Sequence, residues 1–575
     1  MISSEKCARI FIQVLIRGRK GIKDMSQRDI PSGGIPPRGR MPVVIRVGSS
    51  GERRGASRAL ARAVSLHLDG KPEAALEALY AAIDNGEKDG EIYSALGHIH
   101  FQLGQYEEAA SSYWRLIQLE PAHRTASFNL AVCLEKQGRW EDALERFQRA
   151  LEIDPGRSEA YLGMGVCYLQ LNKLEPALEA FDCCLNRMPT QEAALFGKAV
   201  ALQLAGRLEE AGDQYRKILQ RNPHSEETLI NLIGVEMALK DPERVRETAQ
   251  QLLSVRPDSA TALEGLAAAA FSSGDHDAAA RYCSRLVEQV PGHFEGWFNL
   301  GVAHQRAGRY EEASKAYAEA IRIRPESAQA HVNLGIVFQE LGDLPAARKA
   351  YERALQLDET QTPALWNLAL VLEQEGEPDG AELLYAKVLE RNPGWEEARF
   401  RLGYLLLQRG NFDASARAFE ACLQSRPDWP EAQLNLGIAC WKQGNREAAR
   451  RAFEAVLARE SKSPDALRGL AALALEDGDY QRSLELHERL IEVGERSPEL
   501  LYNTALLLQQ SGMNEEAVRL YREALKGRPS FAEAFLNLGH ALKALGQEEE
   551  ARDCWRRALE VKPELAHGYF EPAAL

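Results

Sequence analysis

Between positions 294 and 325 the apolar residues fall on two helical stripes. In the first, Trp297, Leu300, Gly301 and His304 are spaced i, i+3, i+4, i+7, and in the second Ala313, Tyr317, Ala320 and Ile321 are spaced i, i+4, i+7, i+8. Both spacings turn one face of an α-helix toward a core. Gly308 separates the stripes and Pro325 follows the second. Glycine suits the left-handed residue that closes a helix, and proline cannot continue one. The segment therefore predicts two helices of about fourteen residues each, joined by a tight turn.

The unit returns. Residues 297–327, WFNLGVAHQRAGRYEEASKAYAEAIRIRPES, are followed at 331–361 by HVNLGIVFQELGDLPAARKAYERALQLDETQ, 34 residues on. Stepping by 34 from Pro325 gives fourteen stations between 121 and 563. Eleven are proline, and Glu359, Ser461 and Glu495 fill the others. The turn glycine keeps the same interval. From position 104 onward it is present at twelve of fourteen stations, with Asn172 and Lys240 as the exceptions. No insertion breaks the register, and no strand pattern interrupts it. Gly301 recurs as Gly97, Gly165, Gly335, Gly403, Gly437 and Gly539, with Ala at most of the remaining stations. Inside a helix, glycine costs roughly 1 kcal/mol against Ala, so its return implies a close approach of helices.

This pattern resembles the tetratricopeptide repeat, whose 34-residue unit reads roughly W-x2-L-G-x2-Y, then Ala, an aromatic and Pro. The second-helix aromatic stands here as Tyr113, Phe147, Phe181, Tyr215, Tyr317, Tyr351, Tyr385 and Trp555, among others. The resemblance covers residues 57–575. It implies an all-α fold, a right-handed superhelical solenoid of tandem helix–turn–helix repeats. Such a chain needs many copies, because one helix pair cannot bury its apolar stripe alone. The boundaries read as a degenerate first unit at 57–89, fourteen repeats over 90–565, and a truncated C-terminal helix at 566–575. Residues 226–293 depart most: Lys240 replaces the turn glycine, Val245 a small residue, and Ala249 and Cys283 the aromatics. A second departure, His487 in place of an aromatic, falls in 464–497. Both are candidate soft points.

In each first helix the face opposite the core falls at positions such as Glu295, Phe298, Asn299, Val302, Gln305 and Arg306. The resemblance places this stripe on a concave surface. Asn recurs there at one phase, as Asn129, Asn231, Asn299, Asn333, Asn367, Asn435, Asn503 and Asn537. It is a mediocre helix former, so propensity does not select it. Its amide offers a donor and an acceptor, the pairing that holds a peptide backbone without reading side chains. Similar arrays, such as the repeat region of O-linked N-acetylglucosamine transferase, use an Asn ladder in this way. The other account is an Asn that bridges adjacent helices. Beside this row runs an acidic one, Glu91, Glu159, Glu227, Glu295, Glu397, Glu431, Asp465, Glu499 and Glu533. Carboxylates are favoured in the first turn of a helix by its dipole. Acids and apolar residues such as Phe128 and Val332 hold phases where repeats that grip acidic tails carry Lys or Arg.

Charge sharpens the partner class. Residues 1–56 carry 12 Lys/Arg against 4 Asp/Glu, which leaves 58 against 80 for the rest. An acidic array has no basic stripe for phosphates, so nucleic acid is not an expected partner. Nine cysteines show no metal or disulfide spacing, and Cys133, Cys167, Cys184 and Cys422 share phases with apolar residues. The vicinal Cys183–Cys184 pair has no second pair of ligands beside it. No run approaches a membrane span, and IFIQVLI (10–16) is followed by RGRKG rather than a cleavage site. The Pro/Gly-rich SGGIPPRGRMP lies in a basic segment, 1–56, expected to be disordered, with Met41 an alternative start. GSSGERRG (48–55) reads as a linker rather than a phosphate cradle.

No catalytic constellation, cofactor motif or metal-ligand set emerges, and no small-molecule substrate is expected. The reading is a cytoplasmic, non-enzymatic scaffold that binds other proteins, as extended segments, in an Asn-lined groove. Two alternatives are a relative or repeat subunit of a protein O-glycosyltransferase and a subunit of a cell-envelope or secretion assembly.

Overall fold

The computed structural model describes residues 58–566. The basic segment 1–56 and the expected helix beyond Ala566 lie outside the described residues; Ala566 itself ends a 3-10 turn, Pro563–Ala566. Among the described residues are thirty α-helices, from Arg58–Leu68 to Glu548–Val561, and no strand. The chain is thus an all-α solenoid of tandem helix–turn–helix repeats. It divides into two compact units, one ending at Arg309 and the other beginning at Tyr310. Within each, a helix packs on its neighbours in sequence, and several first helices also touch the first helix of the following repeat.

One repeat illustrates the local chemistry of the unit. Ala328–Glu340 is capped by the Ser327 side chain, and Leu344–Leu357 by the Asp343 side chain, each accepting from a backbone N–H three residues on. Between them Gly342 takes φ 78°, and the Asp343 amide donates to the Phe338 carbonyl at 2.9 Å. This is the left-handed closure the sequence predicts. At the two stations that lack glycine the left-handed turn is kept, with φ 57° at Asn172 and 58° at Lys240. Departure from the consensus at Lys240 therefore costs backbone strain and not the turn.

Second-helix aromatics form the spine of each unit: Phe147, Phe181, Tyr215, Tyr351, Tyr385 and Tyr521 are fully buried at 0% exposure. The repeated first-helix glycines exist to admit them. A methyl group at Gly335 would lie 2.5 Å from the Tyr351 ring, and one at Gly97 2.7 Å from Tyr113. Where the aromatic is missing, the exchange runs the other way. Ala249 stands at an aromatic station, and Ile233, fully buried, stands where other repeats carry Gly or Ala. Leu229, Val245 and Leu266 complete that stretch of core. Volume is conserved by a large-for-small swap across the helix pair, the kind of exchange that cores tolerate best.

Candidate functional site

The Asn stripe rises from the buried aromatics. Six of the eight ladder residues lie sixteen positions after a second-helix aromatic, on the first helix of the following repeat; Asn299 and Asn503 follow Cys283 and His487 instead. Asn333 Nδ2 donates to the Tyr317 hydroxyl at 3.3 Å. On its other side the tyrosine hydroxyl meets a residue twelve positions before it. Tyr215 donates to Gln203 at 3.0 Å, Tyr351 to Gln339 at 3.0 Å and Tyr521 to Gln509 at 2.8 Å. Burial holds these phenols well above their usual range, so they remain hydroxyl donors.

The Tyr317–Asn333 contact gives one reason for Asn at this phase, although Asn367 makes no bond to Tyr351 and Asn537 turns to Tyr502 instead of Tyr521. Tyr113, Tyr215, Tyr317, Tyr351 and Tyr521 are followed by Asn129, Asn231, Asn333, Asn367 and Asn537, whereas Phe147, Phe181 and Phe453 are followed by Gly163, Gly197 and Gly469. A phenylalanine ring offers no polar atom and packs directly against the next helix; a methyl at Gly469 would lie 2.7 Å from Phe453. A tyrosine hydroxyl needs a polar neighbour in the same place. Phe419 with Asn435 is the exception to this pairing. The signal is present in the sequence as a correlation over sixteen residues, which the Asn row by itself does not show.

Tyr385 makes a variant of the rung. Its hydroxyl donates to Glu373 Oε2 at 2.9 Å, and Arg401, standing at the ladder phase, meets Glu373 Oε1 at 3.1 Å. The carboxylate and guanidinium replace the neutral Gln and Asn as a charged pair.

The eight asparagines differ in access. Asn231 is buried, with 3% of its surface exposed. Asn299 and Asn503 are exposed, and Asn129, Asn333, Asn367, Asn435 and Asn537 are half-buried. Asn537 donates to the Tyr502 hydroxyl at 2.8 Å, and Asn333 Oδ1 accepts from Gln329 at 3.0 Å. Asn299, Asn367, Asn435 and Asn503 make no side-chain hydrogen bond among the described residues, so their amides are open; Asn231 makes none either but is buried. All nine acidic-row residues sit in the first turn of a helix. Ion pairs already hold Asp465 to Arg468, Glu499 to Arg528 and Glu533 to Lys562.

Among the described residues no group of three or more His, Cys, Asp or Glu could hold a metal, and no helix is long and apolar enough to cross a membrane. The described cysteines are free thiols. Burial pushes Cys133 up to about 12 and Cys422 up to about 11, which keeps both protonated.

Family models described as tetratricopeptide repeats match residues 94–158, 258–326, 293–360, 326–393, 134–195, 202–269, 372–434, 406–473 and 532–565, and one described as a TPR repeat matches 508–546. No curated protein matches the chain. Among solved structures, YrrB, described as a TPR protein with an unusual peptide-binding site, is 22% identical, covering 33% of this chain and 97% of its own, with a TM-score of 0.31. The Naa15/Naa10 structure bound to HypK-THB is 13% identical, covering 88% and 93%, with a TM-score of 0.31. A tetratricopeptide repeat protein from Parabacteroides merdae is 19% identical, covering 46% and 98%, also at 0.31. None of these assigns a partner to this chain.

Proposed function

The chain belongs to the tetratricopeptide repeat family, and from that premise we propose that it is a non-enzymatic scaffold that holds extended segments of other proteins along its Asn stripe. The observation that carries this reading is the division of labour within the ladder. Asn333 and Asn537 are committed to tyrosine hydroxyls, but Asn367, Asn435 and Asn503 present amides with no hydrogen-bond partner among the described residues. An amide left open at a fixed phase of the repeat can donate to one backbone carbonyl and accept from one N–H of a bound strand. Such recognition reads the backbone and tolerates many side chains.

Replacing Asn367, Asn435 and Asn503 together by Ala tests it. Helicity and melting temperature should hold, because Ala is the better helix former and no internal bond is lost. Affinity for a partner recovered by affinity capture from native cells should fall by about 0.5–1.5 kcal/mol for each lost hydrogen bond. A variant that melts early yet binds at wild-type strength would make these residues structural and overturn the reading.

A further inference from the structure

Three aromatic pairs recur in the unit that begins at Tyr310. Each joins a first-helix ring to the ring just before the next first helix. Trp366 stacks on Trp395 at 4.9 Å and 24°, Phe400 on Trp429 at 4.6 Å and 21°, and Tyr502 packs against Phe531 at 4.8 Å. Two of the three pairs are completed by a cation from the chain itself. The Arg426 guanidinium lies over Trp429, 4.9 Å from its centroid, and that of Arg528 lies over Phe531 at 4.8 Å. In both cases the arginine is three residues before the ring, in RPDW (426–429) and RPSF (528–531).

At the third pair the segment reads NPGW (392–395), and Asn392 stands in place of the arginine. The backbone there is the same. Asn392 has φ −129° and ψ 81°, against −131° and 81° for Arg426 and −137° and 87° for Arg528. Only the side chain that would cover the ring is missing. Among the described residues no cation lies over Trp395, and part of its surface is exposed. Arg399, one helical turn further on, is drawn instead to the Pro393 carbonyl. Glu396 and Glu397 follow the ring at once, and neither is in an ion pair among the described residues.

We propose that Trp395 is a docking point for an arginine of the bound segment, whose guanidinium takes over this ring the place that Arg426 and Arg528 take in the sister repeats. This rests on the reading that the array holds extended segments, and it adds the chemistry of the partner: an arginine-bearing strand. A guanidinium is planar and weakly hydrated, so it stacks on an indole where an ammonium holds its water. The array outside residues 1–56 carries 58 Lys/Arg against 80 Asp/Glu, a field that draws basic segments toward it.

The test uses the full chain and two labelled Gly/Pro-rich synthetic peptides, one with three spaced arginines and one with lysine in their place. Lysine keeps the charge, so the pull of the acidic array is common to both, and lacks the planar guanidinium that stacks on the ring. Fluorescence anisotropy should show the arginine peptide binding roughly three- to tenfold tighter. Trp395→Ala should abolish that preference. Asn392→Arg should abolish it as well, with ring and fold retained, because the chain then supplies its own cation. Equal binding of the two peptides, or a preference that survives Asn392→Arg, overturns the docking point while leaving the groove intact. Failure of the arginine peptide to bind also overturns it. The groove reading falls with it only if the Asn367, Asn435 and Asn503 variant keeps full affinity for the native partner.

Discussion

Glu236 is a carboxylate in an apolar place. It stands at a phase held elsewhere by Leu134, Leu202, Leu372, Leu406, Leu508 and Leu542, and only 2% of its surface is exposed. Its Oε1 lies 3.7 Å from Arg216 Nη1, while its Oε2 and that nitrogen find no hydrogen-bond partner. Burial raises the carboxyl above its ordinary value of 4.5, against the pull of Thr248, Arg216 and Arg244 and with a push from Asp241. The folded chain thus holds this proton more tightly than the unfolded one. The stability contributed by the group is fully present below 4.5 and is lost as pH rises through the folded value. Glu236→Gln, which carries no charge at any pH, should melt above wild type at pH 7. The advantage should narrow as pH approaches 4.5, and thermal melts at the two pH values that show the same gap would exclude a burial cost.

Helix pairs are joined by a choice made sixteen residues apart. Five of the six second-helix tyrosines are followed by Asn on the next first helix and three of the four phenylalanines by Gly, with Tyr385–Arg401 and Phe419–Asn435 outside the pattern. Tyr317 and Asn333, bonded at 3.3 Å, offer a double-mutant cycle. Tyr317→Phe leaves the Asn333 amide without this acceptor, and Asn333→Gly leaves a buried hydroxyl without this donor, each at a cost of about 1 kcal/mol. The double variant recreates the pairing of Phe453 with Gly469 and should recover roughly 0.5–1 kcal/mol of the summed loss. Strict additivity in urea denaturation would mean that the pairing is coincidental. The same cycle separates the structural members of the ladder from the open ones, since Asn367, Asn435 and Asn503 have no such bond to lose.

At the scale of the whole molecule, stability is built from contacts between neighbours. Within each unit a helix touches those adjacent in sequence, so opening in one repeat does not require opening in distant ones. Unfolding should depart from a single two-state step. The repeats at 226–293 concentrate the unfavourable features. Lys240 holds φ 58°, a conformation that costs a non-glycine residue roughly 1 kcal/mol, and Glu236 is buried four residues before it. Native-state hydrogen exchange should find the amides of 226–259 less protected than those of 158–191. Uniform protection across the two would show that the swap of Ile233 for an aromatic compensates fully.

What the sequence alone determined is everything that repeats locally. The period of 34, the two helices per unit, the turn at each glycine station and the aromatic spine are set by spacing along one helix and by backbone rules for Gly and Pro. Those constraints act within a few residues, so they can be read from the order of residues alone. Even the close approach at Gly335 was legible, because a helical glycine is costly unless something presses on it. The tertiary structure decided what depends on pairs from different helices. It decided that Lys240 keeps the left-handed turn, that Ile233 replaces the bulk lost at Ala249, and that Asn333 is tied to a hydroxyl while Asn367 is open. It also showed that Trp395 lacks the cation its sisters have. In each case the deciding quantity is a distance between side chains on different elements, or the backbone's answer to packing around it, and neither is expressed at a single repeat phase.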